Sequence, residues 1–140
     1  MDTSFIKGII VPILTPITDD ERLDEGALRS LIDYIIDGGC SGLLAFGSNG
    51  EFYMLEEDEM EHILSVMVEH TAGRVPIYMG VGHIRTAKCI RLAQMGVRLG
   101  AKGVSILQPM FVKPTDAELK GHIKAIAASV SDVPVLLYNN

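Results

Sequence analysis

The densest set of chemically useful residues in this chain is Gly47-Ser48-Asn49-Gly50-Glu51. Two glycines let a backbone turn sharply with its N–H groups outward, and the Ser48 hydroxyl adds a donor, so a small carboxylate or phosphate could be held there. By residue type alone such a segment is more often only a turn. It lacks the Gly-Lys-Ser/Thr ending of a phosphate loop and the spacing of a dinucleotide fingerprint. Glu51 reads as a loop or helix-capping carboxylate before a general base. Tyr138 closes an apolar run; a tyrosine there reads as a core residue whose hydroxyl is satisfied at the rim, and Tyr78 is expected to have the same role. His83 follows Gly80-Val81-Gly82 and is a candidate for substrate contact, whereas His62, His70 and His122 fall on helical stretches with no H-E-x-x-H spacing. Cys40 and Cys89 lack C-x-x-C spacing and Cys89 reads as packing, so no metal site, redox pair or Ser-His-Asp set is assembled.

These residues share a place in the pattern around them. Gly8 to Leu14, Gly42 to Phe46, Pro76 to Met79, Gly103 to Leu107 and Val135 to Tyr138 are short apolar runs that read as strands. Between them, apolar residues recur at helical spacing: Leu28, Leu31, Ile32, Ile35 and Ile36; then Met60, Ile63, Leu64, Met67 and Val68; then a helix from about Thr86 to Leu99; then Leu119, Ile123, Ile126, Ala127 and Val130. Asp24 and Asp116 are placed to cap the first and fourth helices, Gly38-Gly39 to stop the first, and Glu56 to Glu59 to put negative charge at the start of the second. Strand and helix alternate without exception. The strands are apolar throughout, which predicts a parallel sheet covered on both faces.

The motif at 39–44 is echoed at 100–105, and Val75-Pro76-Ile77 is echoed at Val133-Pro134-Val135. Offsets of about sixty residues imply a repeating unit of roughly thirty, the length of one βα unit. Four and a half such units fit either an open doubly wound sheet or the first part of an eight-unit barrel of ~250 residues. In both, the active end is where the strands finish, and there lie Thr15, the segment from Gly47 to Glu51, Gly80 to His83, Gln108 to Phe111, and Tyr138-Asn139. An open sheet of this size normally adds a helix after its fifth strand, so stopping at Asn140 reads as a cut chain.

Composition limits the partners. The 140 residues are 48% apolar and 21% charged, with 12 Lys+Arg against 18 Asp+Glu and a net charge of −6. That is ordinary globular composition, and the acidic balance with no basic cluster argues against nucleic acid and anionic membranes as partners. Met1 to Lys7 has no basic-then-apolar leader and the apolar runs are strand-sized, so a cytoplasmic protein is expected.

In order and spacing, Gly8 to Thr15-Pro16, Gly47 to Glu51, Val75-Pro76 with Gly80-Val81-Gly82 and Thr86, Pro109 to Pro114, and Pro134 to Tyr138-Asn139 resemble the dihydrodipicolinate synthase / N-acetylneuraminate lyase family of pyruvate-dependent class I aldolases. The likeness covers essentially the whole chain. It implies the (β/α)₈ TIM-barrel fold, with residues 1–140 forming the first four and a half βα units of a single barrel domain, and a homotetramer or homodimer. It also implies a lyase that needs no cofactor or metal. A lysine on the sixth strand forms a Schiff base with pyruvate or another 2-oxo acid, and the enamine is exchanged with an aldehyde. Ser48 and Asn49 match the two central positions of the loop that binds the substrate carboxylate, with Gly47 and Thr15 beside them. Tyr138 matches the proton-transfer tyrosine, with Ser48 as its hydrogen-bond partner.

Three positions depart from the family pattern: Asn49 stands where threonine is usual, Ile84 where many members have asparagine, and Phe111 where dihydrodipicolinate synthases have a relay tyrosine crossing a subunit interface. Gly47 to Phe52 resembles the relatives that cleave 2-keto-3-deoxy sugar acids. None of the lysines stands at the inner end of a strand: Lys7 and Lys102 precede strands, Lys88, Lys120 and Lys124 are helical, and Lys113 is in a loop. The 140-residue stretch is therefore expected to be inactive alone. The rival expectation is a non-catalytic ligand-binding module of flavodoxin-like topology.

Overall fold

The computed structural model describes residues 2–139; Met1, the first residue of the Met1 to Lys7 segment read above, and Asn140 lie outside the described residues. Five strands and four helices alternate: β1 (Ile10–Pro12), α1 (Glu25–Asp37), β2 (Gly42–Ala45), α2 (Glu57–Thr71), β3 (Ile77–Gly80), α3 (Thr86–Leu99), β4 (Gly103–Leu107), α4 (Asp116–Ala128) and β5 (Val135–Tyr138). All strand pairs are parallel and the order is β1-β2-β3-β4-β5, without the reversal around β1 that a flavodoxin-like sheet needs. Each helix packs on the next along the chain, α1 on α2, α2 on α3 and α3 on α4. Successive right-handed βα units with their helices in one layer are the wall of a barrel.

Alternation along the strands divides two faces. Leu43, Ala45, Ile77, Met79, Val104 and Ile106 face the helices and are buried, where they meet Leu28, Ile32, Leu64, Met67, Leu92 and Ile126. The opposite positions face the barrel interior. There the Tyr78 ring occupies space that only glycines on the flanking strands leave free: a Cβ on Gly42 or Gly103 would sit 2.9 or 2.8 Å from a ring carbon. Phe5 stacks on the same ring at 6.3 Å, capping the interior below the strands' N-terminal ends.

Three sequence expectations are corrected. Coverage of both faces fails at the outer strands, where Leu137 and Tyr138 of β5 are 61% and 46% exposed, because no element among the described residues packs beyond β5. Asp116 does not cap α4. Thr115 does, in a reciprocal box with Glu118, which leaves Asp116 in the first turn as a charge favourable to the helix dipole. The Tyr78 hydroxyl is not satisfied at a rim; it is buried with no hydrogen-bond partner among the described residues. Asp24 caps α1 as expected, its carboxylate accepting the Ala27 N–H at 2.8 Å. No helix among the described residues is long and apolar enough to cross a membrane.

Candidate active site

Past the end of β2 the chain turns abruptly. Phe46 takes a left-handed φ of 57°, Ser48–Gly50 forms one 3₁₀ turn, and Glu51 takes another left-handed φ of 51° before a second turn at Phe52–Met54. The unusual backbone is thus carried by Phe46 and Glu51 rather than by the glycines. Gly47 is extended, and Gly50 is required for closeness, since a Cβ there would meet the Ile13 carbonyl at 2.9 Å. The strained residues flank the loop on which the candidate chemistry rests, a common arrangement where a fixed geometry is held at some energetic cost. The turn's internal bonds use the N–H groups of Gly50 and Glu51, which donate to Gly47 and Ser48, rather than those of Ser48 and Asn49.

Thr15, beyond the end of β1, donates its hydroxyl to the Gly50 carbonyl at 2.8 Å. It ties the loop to the neighbouring strand, and it does not line the cavity that the loop borders. That cavity, about 80 Å³, is lined by Gly47, Ser48 and Asn49, by Pro12, Leu44, Gly80, Ser105 and Leu107 from the strands, by Phe46, Phe52 and Gly82, and by Tyr138. Ser48, Asn49 and Tyr138 are therefore brought together at the C-terminal ends of the strands. Ser48 and Tyr138 share the cavity without a direct hydrogen bond among the described residues.

The other candidates lie apart. His83 borders a neighbouring groove with Tyr53, Lys88 and Phe111; it accepts the Arg85 N–H at 2.9 Å, and burial, reinforced by Lys88, lowers its pKa below 6.5. Phe111 is 92% exposed at a left-handed φ of 69°. Glu51 is exposed, and the capping of α2 is done by Glu56 and Glu59. Cys89 packs in the core as expected, where burial raises its thiol to about 11, and His122 shares a hydrogen bond of 2.9 Å with Thr86. Larger clefts exist, including one of about 360 Å³ between residues 17–23 and α2, yet that cleft borders neither the 47–51 loop nor Tyr138. Gly80 lines the cavity, in keeping with its expected place at the active end, whereas Ser105 was missed as a cavity residue. The signal for Ser105 was slight: a single hydroxyl at an inward position of an apolar strand.

A parallel βα wall that gathers hydroxyls, a glycine-bordered turn and a tyrosine where its strands finish has the layout of one side of the α/β-barrel class, seen at its C-terminal end. Sequence comparison makes the class specific. The chain belongs to the dihydrodipicolinate synthetase family, whose sequence pattern matches residues 5–140. It is similar to the 4-hydroxy-tetrahydrodipicolinate synthases of Xanthomonas axonopodis pv. citri, 39% identical over 134 residues covering 96% of this chain and 44% of the relative, and of Pelobacter propionicus, 38% identical over 133 residues covering 95% and 45%. Among solved structures it resembles YagE, a prophage protein of the dihydrodipicolinic acid synthase family from E. coli K12 in complex with pyruvate. The TM-score is 0.93 and the identity 35%, with 98% of this chain and 46% of that one covered. The dihydrodipicolinate synthase of Acinetobacter baumannii complexed with pyruvate matches with a TM-score of 0.92 and 33% identity over 96% and 46% of the two chains. The fold is accordingly that of the TIM barrel. The chain spans about half the length of the curated relatives it matches, 44–46% of each.

Proposed function

We propose that the whole protein is a Schiff-base-forming lyase that makes or breaks the carbon–carbon bond between pyruvate and an aldehyde. The observation that carries this is the meeting of Ser48, Asn49 and Tyr138 in one cavity at the strand ends, in a chain whose structural neighbours include two complexes with pyruvate. In this reading Gly47, Ser48 and Asn49 hold the substrate carboxylate through hydroxyl and backbone N–H groups, and Thr15 keeps the loop in place through Gly50. A lysine amine attacks the keto carbon and water leaves, giving an imine whose cationic nitrogen takes up the electron pair of the breaking bond. Tyr138, with Ser48, carries protons between the substrate oxygens.

None of the cavity-lining residues is a lysine, which supports assigning the imine to a residue outside residues 1–140. Borohydride trapping with pyruvate tests this. The whole gene product should gain the mass of a reduced pyruvyl adduct, and the 140-residue chain should gain none. An adduct on Lys7, Lys88, Lys102, Lys113, Lys120 or Lys124 would sink the assignment. The cavity needs no cofactor for this chemistry, and we place the protein in the cytoplasm because Cys40 and Cys89 are free thiols. Tyr53, Ile84, Phe111 and Val112 expose apolar surface along two grooves that share Tyr53 and Phe111, which supports assembly into a homodimer or homotetramer.

The substrate follows from Phe111. With no hydroxyl there, a relay through that position is closed, so cleavage of a hydroxylated 2-keto-3-deoxy acid, whose own hydroxyls assist, should outpace condensation with aspartate semialdehyde. The names of the relatives favour the second reading, a dihydrodipicolinate synthase. Pyruvate release from 2-keto-3-deoxy sugar acids and N-acetylneuraminate, measured beside the condensation, separates the two; faster condensation would overturn the reading of Phe111.

A further inference from the structure

Within β4 the interior-facing positions are Gly103, Ser105 and Leu107, while Val104 and Ile106 are buried toward the helices. Ser105 is only 8% exposed, borders the cavity, and has no hydrogen-bond partner for its hydroxyl among the described residues. Its backbone is fully employed: its carbonyl accepts the Val81 N–H at 2.9 Å, and it pairs with Gly80 on β3 and Leu136 on β5. The Ser105 oxygen is not among the fully buried, unpaired side-chain atoms of the described residues, so it opens onto the cavity that its residue lines. The hydroxyl is therefore suited to a partner that enters the cavity.

The geometry fixes where that partner lies. Leu107 is in register with Tyr138, and Ser105 is two residues earlier on the same strand, so Ser105 forms the floor beneath the wall that Tyr138 provides. Gly80, its neighbour on β3, puts no side chain over it. A Cβ there would lie 2.4 Å from the Phe46 carbonyl oxygen, so the place a β3 side chain would take is filled by the backbone that leads into the 47–51 loop. In a 2-oxo acid the ketone oxygen stands on the carbon next to the carboxylate, so a molecule whose carboxylate meets Ser48 and Asn49 in this small cavity presents that oxygen to the other lining residues, Ser105 among them.

We infer that Ser105 is a substrate-binding residue, donating a hydrogen bond from the cavity floor to the ketone oxygen of the bound 2-oxo acid. The inference rests on the proposed reading of the cavity as a 2-oxo acid site and adds to it a third hydroxyl contact. Ser105 selects a ligand with a hydrogen-bond acceptor on the carbon next to the carboxylate over one that is aliphatic there.

The test uses the whole gene product, with pyruvate and borohydride, and reads the pyruvate concentration that half-saturates adduct formation. Ser105→Ala should raise that concentration about tenfold while leaving the maximum yield within twofold, with the melting temperature of each ligand-free variant measured beside it to show that it is folded. Ser105→Cys, which keeps the volume but donates weakly, should behave as the alanine variant does. Half-saturation within twofold of the parent in Ser105→Ala would show that the hydroxyl meets only water, and full recovery in Ser105→Cys would show that volume matters rather than the hydrogen bond; either overturns the role of Ser105 alone. No adduct in the parent protein would instead remove the 2-oxo acid reading, and the role of Ser105 with it.

Discussion

Replacing Gly80 by alanine tests the link between the barrel wall and the loop it positions. A Cβ at this site would lie 2.4 Å from the Phe46 carbonyl oxygen and 2.9 Å from that of Ala45, both backbone atoms in the stretch that turns into the 47–51 loop. A carbon–oxygen contact settles at about 3.3 Å, so backbone must move by about 0.9 Å to admit the methyl group. Phe46 is already at a left-handed φ and cannot absorb that shift freely. The cost therefore falls at the upper end of the range for overpacking, about 3 kcal/mol. For a domain of this size that is a drop of about 10 °C in melting temperature, readable by circular dichroism of the 140-residue chain. Gly121→Ala is the control: it lies in α4 with nothing within 4 Å of its Cβ position, and alanine there should stabilise the chain by about 0.5–1 kcal/mol through helix propensity. If Gly80→Ala melts within 2 °C of the parent, the steric account of the strand end is wrong.

Other consequences follow from the same structure. The Tyr78 hydroxyl is buried without a partner, so Tyr78→Phe should leave stability unchanged or raise it by about 1 kcal/mol in urea unfolding; a loss of that size would reveal a partner for the hydroxyl. Burial lowers the pKa values of His122 and His83 below 6.5, so the unfolded chain takes up protons first as the pH falls. Their contribution is complete above about pH 6.5 and is lost as the pH falls through that value toward the folded pKa values. Stability measured from pH 7 to pH 5 should therefore decline, and His122→Asn should flatten the decline; an unaltered slope would contradict it. Thr15→Val removes the hydroxyl that holds the Gly50 carbonyl, and should cost about 1 kcal/mol and speed hydrogen exchange of the 47–51 amides, whereas unchanged exchange would show the loop to be held by other contacts.

The alternation of elements was legible because each helix carries its own apolar stripe and the inner strands bury residues on both faces, as Tyr78 and Met79 of β3 show. The choice between barrel and open sheet was not available from that periodicity, since both folds bury such strands; strand order alone separates them. The loop at 47–51 was visible through its composition, but its mechanics were not. The glycines suggested the sharp turn, while left-handed backbone falls on Phe46 and Glu51, and Gly50 is needed for the approach of the Ile13 carbonyl. Local rules also misplaced the start of α4, because Asp116 and Thr115 are both good caps and only the reach of Glu118 decides between them. Ser105 escaped notice because one hydroxyl in a strand says nothing until the neighbouring strands show which way it faces.

The most direct test of the central claim is turnover by Tyr138→Phe in the whole gene product, assayed as pyruvate release from 2-keto-3-deoxy acids and as condensation with aspartate semialdehyde. Loss of a positioned proton-transfer group should lower kcat by about 10²–10⁴-fold in whichever reaction the parent performs, while the borohydride adduct with pyruvate still forms. Turnover at the parent rate in Tyr138→Phe would contradict the account, because the cavity would then hold substrate without using the one phenol that the fold places in its wall.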